Sequence, residues 1–122
     1  MLLFKKKFMD AIRRGEKTQT VRLWKWRRMR PGQRSYIPGV GYIRIEAVDE
    51  VPLAELTEED AKRDGFDSAA QLRAEIERLY PDIQQKGTHR PYRVRFVVLP
   101  PEQQAIEREY TRKKKLERRK QV

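Results

Sequence analysis

Residues 92–99 read YRVRFVVL, and Pro100-Pro101 cuts the run off at once. Branched and aromatic side chains at this density suit a pleated, half-buried surface. A second run, YIRIEAV at 42–48, alternates, with Ile43, Ile45 and Ala47 on one side and Tyr42, Arg44 and Glu46 on the other. Together these runs commit the chain to a sheet. The residues between them follow a different period. Thr57 and Asp60 have capping-box spacing, which opens a short helix ending near Gly65. Ser68 and Gln71 repeat that logic. Leu72, Ile76 and Leu79 then give a second helix one buried stripe, which Pro81 ends.

Residues 2–4 read as a short strand and residues 5–14 as a short helix, with Gly15 at its C-terminal glycine position. From Thr20 the chain is extended; Pro31-Gly32 turns it, 33–37 form a weak strand, and Pro38-Gly39 and Gly41 close that strand. Residues 102–119 read as a polar terminal helix, with Glu102 at its start and cations at its end. The expected architecture is α+β: five to six short strands curled into a small β-barrel, with flanking helices and a C-terminal helix. Residues 1–100 form the domain and 101–122 a basic helix or tail.

Charge narrows the partners. Residues 1–45 hold 13 Lys/Arg against 2 Asp/Glu, whereas 46–82 hold 4 against 12, and 111–122 hold 7 against 1. A basic face of this kind most commonly meets phosphate. The chain has no cysteine and a single histidine, His89, so zinc has few ligands. Glu58, Glu59 and Asp60 suit a helix N-terminus better than a magnesium ion. No phosphate-binding glycine motif stands out, and no apolar run approaches the length of a membrane span. No metal, no cofactor and no membrane contact are expected, and the absence of a disulfide framework and of a signal-peptide pattern suggests a cytoplasmic protein.

The segment GEKTQTVRLWKWRRMRPG at 15–32 carries the binding candidates. In an extended chain Thr20, Arg22, Trp24, Trp26 and Arg28 share one face, while Val21 and Leu23 point into the core. Arginine offers planar, bidentate donors, and an indole offers a flat surface on which a nucleobase stacks. Arg22, Trp24, Trp26, Arg27, Arg28 and Arg30 are therefore the candidate RNA- or nucleotide-binding residues; the alternative for either indole is core packing. Thr20 becomes a nucleophile only if a base takes its proton, and Lys17 is such a base only if burial or neighbouring cations lower its pKa. The two residues meet only if Lys17 lies in the turn after Gly15.

The run G-E-K-T-Q-T-V-R at 15–22, the Pro31-Gly32 turn, the strand at 42–48 and L-T-E-E-D-A-K-R-D-G-F at 56–66 resemble the ASCH domain family. The resemblance spans roughly residues 3–99. It implies a barrel like that of PUA domains in RNA-modifying proteins, and a role in binding RNA or a modified nucleoside. One branch of that family hydrolyses N4-acetylcytidine with a lysine, a threonine and a glutamate, and another is a single-strand ribonuclease. The resemblance would set Lys17 and Thr20 in the first two roles and Asp64 in the third, where aspartate is one methylene shorter than glutamate. Three functions follow as expectations: an RNA- or nucleoside-binding module, an amidohydrolase acting through Lys17, Thr20 and Asp64, or a ribonuclease in which a lysine or His89 moves the proton. A fourth, a protein-interaction module docking through the terminal helix, has no specific residue behind it.

Overall fold

The computed structural model describes residues 1–82 and 87–120. Four strands, β1 (Gln19–Trp24), β2 (Arg34–Ile37), β3 (Gly41–Glu50) and β4 (Arg90–Val98), form one antiparallel sheet in the order β1-β4-β3-β2. The helices are α1 (Met9–Arg13), α2 (Glu58–Asp64), α3 (Ala69–Leu79) and α4 (Pro101–Lys120). The α+β class and the C-terminal helix match expectation. Among the described residues the strand count is four rather than five or six, and the sheet is not closed into a barrel. Residues 2–4 form no strand: Leu2 donates its backbone N–H to the Tyr36 carbonyl at 3.0 Å, and its side chain plugs the core.

The sheet separates two apolar clusters. Ile12, Ile37, Ile43, Ile45, Val48, Val94 and Phe96 fill one. Val21, Leu23, Leu56, Ala61, Leu72 and Ile76 fill the other, beneath α2 and α3. Alternation in β3 breaks at Glu46, which has no partner in the register that runs from Ile45↔Phe96 to Ala47↔Arg95. This bulge flips the parity, so Val48 rather than Ala47 joins Ile43 and Ile45 in the core.

The first cap forms as a full box and the second only in its Ser68 half, since the Gln71 side chain accepts from the Asp67 N–H. Thr57 and Asp60 make a reciprocal capping box at the start of α2, and the Ser68 side chain accepts from the Gln71 N–H at the start of α3. Gly65 ends α2 with φ 89°, a conformation that would strain any side chain. Asp60 also ties α2 to the sheet. It accepts from Arg93 of β4 at 3.1 Å and from the fully buried Gln19 of β1 at 3.3 Å. Burial works against its ionisation, but the Thr57 N–H and Arg93 still hold its pKa below the ordinary value. This anchor sets the position of Asp64, one turn further along the same helix face.

Candidate active site

Asp64 and Lys17 meet under α2. The Lys17 Nζ donates to Asp64 Oδ1 at 2.6 Å and to the Asp64 backbone carbonyl. Lys17 stands in the turn after Gly15, held by its own N–H to the Ala11 carbonyl at 3.1 Å, while the Thr18 N–H reaches the Arg63 carbonyl at 2.8 Å. Only 2% of the Lys17 surface and 3% of the Asp64 surface remain exposed. Three phenyl rings surround the amine: Phe8 at 4.6 Å, Phe4 at 5.6 Å and Phe66 at 5.9 Å from their centroids.

Burial this deep disfavours charge. It pulls the Lys17 pKa below the ordinary lysine value, although Asp64 opposes the shift. It pushes the Asp64 pKa above the ordinary aspartate value against the pull of Lys17 and Arg22. The Val21 amide also faces this carboxylate and lowers its pKa, but not at full hydrogen-bond geometry, so Asp64 Oδ2 lies buried without a partner.

Thr20 and Arg22 of β1 complete the site. Arg22 Nε donates to Thr20 Oγ1 at 3.0 Å, its Nη2 donates to the Leu3 carbonyl at 2.7 Å, and its guanidinium lies 4.8 Å from the Phe4 centroid. The hydroxyl thus receives a hydrogen bond and keeps its own proton to give. Lys17, Thr20, Arg22 and Asp64 all line one cavity of about 200 Å³, together with Phe4, Phe8, Phe66 and Tyr80. The cavity lies at the edge of the sheet, where β1 has no further strand beside it, and draws lining residues from both faces of β1. Glu75 stands at its wall; hydrogen bonds from Arg78 and Lys5 hold its carboxyl at about 2.

The structure does not bring the rest of the opening segment to this cavity. Trp24 shares a side of β1 with Thr20 and Arg22, but it is buried in the core, 5.5 Å from the Tyr92 ring, and stacks nothing from outside. Trp26 is 71% exposed beyond the end of β1, with Lys25 over its ring at 5.1 Å. Arg27 donates to the Val48 carbonyl, and Arg28 and Arg30 are exposed on the following loop. Three phenylalanines from separate segments wall the cavity: Phe4 from the stretch expected as a strand, Phe8 from the first helix and Phe66 from the segment of family resemblance. Among the described residues, no group of histidines, cysteines or carboxylates is arranged to hold a metal ion, and no helix is long and apolar enough to cross a membrane.

No family model and no curated protein matches the chain. Solved structures do match. The ASCH domain of Lactobacillus crispatus JV V101 superposes with a TM-score of 0.59 at 20% identity, over 74% of this chain and 69% of the other. The fold is that of ASCH domains. A protein of Enterococcus faecalis V583 assigned to the family DUF984 superposes with a TM-score of 0.61 at 16% identity, over 76% of this chain and 67% of the other. Against this ASCH-type frame, α4 lies beyond the region of resemblance read from the sequence.

Proposed function

We propose that this chain takes a modified nucleoside, free or within an RNA strand, into the Lys17–Thr20–Asp64 cavity and hydrolyses its N4-acyl amide. One observation carries this reading: an amine of lowered basicity, a hydroxyl and a carboxylate with an unsatisfied oxygen line the same small, phenyl-walled space. The ASCH-type fold supports a nucleoside rather than another amide.

In this mechanism neutral Lys17 removes the proton from Thr20 Oγ1 as that oxygen bonds to the acyl carbon. The carbonyl electron pair moves onto oxygen, and Arg22 stabilises the oxyanion. The Lys17 ammonium then protonates the departing N4 nitrogen, the C–N bond breaks and cytidine leaves. Water, deprotonated by Lys17, attacks the acyl-threonine ester. The carboxylic acid departs and the proton returns to Thr20. Asp64 orients the amine throughout. The phenyl rings flank the pyrimidine and exclude water.

Incubation with N4-acetylcytidine tests the proposal. Cytidine should accumulate with the parent chain, and Thr20→Ala should lower the rate by about a thousandfold or more, as loss of a covalent nucleophile does. Equal rates in parent and variant, with the variant folded by circular dichroism, would remove Thr20 from the mechanism.

A further inference from the structure

A second concavity, with a volume of about 940 Å³, lies between α4 and the β2–β3 hairpin, away from the Lys17 cavity. Gln104 clamps the helix in place. Its side chain accepts from the Tyr42 N–H at 2.8 Å and donates to the Tyr42 and Leu99 carbonyls at 2.8 and 2.9 Å. Gly41 permits the approach, since a Cβ there would stand 2.8 Å from Gln104 Oε1. Thr111 meets the Tyr42 hydroxyl at 3.3 Å. Residues 104, 108, 111 and 115 fall at i, i+4, i+7 and i+11, so one stripe of α4 forms the groove wall.

That stripe presents Arg108 and Lys115, both exposed, and the groove has no carboxylate in its lining. Neither cation forms an ion pair among the described residues. Opposite them the Tyr36 ring, 39% exposed, sits 5.0 Å from the Tyr42 ring. Beyond the groove the stripe continues into Arg118 and Arg119. Unpaired cations beside an exposed aromatic face match the two parts of a single-stranded nucleotide, its phosphate and its base. An acidic peptide would satisfy the cations and leave the rings unused. A duplex would hide its base faces.

We infer that this groove binds single-stranded nucleic acid, with a base on Tyr36 and phosphates on Arg108 and Lys115. The inference goes beyond the amide chemistry and does not rest on it, because binding is read without turnover. Fluorescence anisotropy of the full chain with a labelled mixed-sequence single-stranded RNA, the same sequence as DNA, and the RNA duplex tests it. Single strands should bind more tightly than the duplex; a preference between the RNA and DNA arms identifies the natural strand. Arg108→Ala and Lys115→Ala should each flatten the log–log salt dependence by about 0.7. Lys62→Ala, an exposed cation on α2 outside the groove, should not. Tyr36→Ala should weaken binding roughly tenfold, and Tyr36→Phe should restore it, as a stacking contact requires. Equal affinity for the duplex, or single-strand binding unchanged in Tyr36→Ala and Arg108→Ala, would overturn the inference.

Discussion

Lys17 and Asp64 sit at the centre of the account because their burial acts against their charges. An exposed lysine and aspartate 2.6 Å apart would each strengthen the other's ionised form; here desolvation outweighs that help at both residues. In the proposed mechanism the neutral amine is the active form, so kcat/KM should rise with pH through the folded Lys17 pKa, on a limb below the ordinary 10.5. Asp64 is the group that raises Lys17, so Asp64→Asn should move that limb to still lower pH, whatever it does to the maximum rate. A pH–rate profile of the two chains decides this. A second consequence concerns stability. Breaking a buried pair strands the surviving charge and costs about 3–5 kcal/mol, whereas replacing both members with apolar groups is often neutral or stabilising. Lys17→Met and Asp64→Leu should each be less stable to urea than the Lys17→Met/Asp64→Leu double variant.

The elements around the site show what a sequence can and cannot disclose. The Thr57 capping box, the Gly65 stop and the Ser68 cap are local devices whose signals span a few residues, and all three form where they were read. The bulge at Glu46 was not legible: one unpaired residue in an alternating run looks like any other, and only the partner strand reveals the slip. Parity set Trp24 on the same side as Thr20 but could not say that the core begins between them. The phenyl walls were also hidden, because Phe4, Phe8 and Phe66 converge only once α2 folds back over the turn after α1. The wall on α3 makes its own prediction. Lys5 bridges to Glu75 at 3.1 Å and Arg78 holds the same carboxylate at 2.6 Å. Glu75 has a folded pKa of about 2 against an ordinary 4.5, so its contribution is present above 4.5 and is lost as pH falls toward about 2. Urea titrations across that window should show a shallower loss of stability in Glu75→Gln than in the parent.

At the scale of the whole molecule, the two edges of the four-stranded open sheet carry different concavities. The β1 edge carries the smaller cavity with its buried amine; the β2 side, with α4, carries the larger, cation-lined groove. The sequence disclosed the α+β class because β3, β4 and the capped helices each have strong local patterns. It did not disclose that the sheet stays open, since residues 2–4 look like a strand but meet β2 through the Leu2 N–H. The charge asymmetry of the chain follows the same division: the acidic stretch 46–82 contains α2 and α3, which roof the cavity, and much of the positive charge falls on the basic loop after β1 and on α4. The most direct test is a crystal structure of Thr20→Ala soaked with N4-acetylcytidine. The proposed mechanism requires the pyrimidine against the phenyl wall of the Lys17 cavity, with the acyl carbon within about 3–3.5 Å of the position left by Thr20 Oγ1. A nucleoside bound elsewhere, or an empty cavity at saturating ligand, would contradict it.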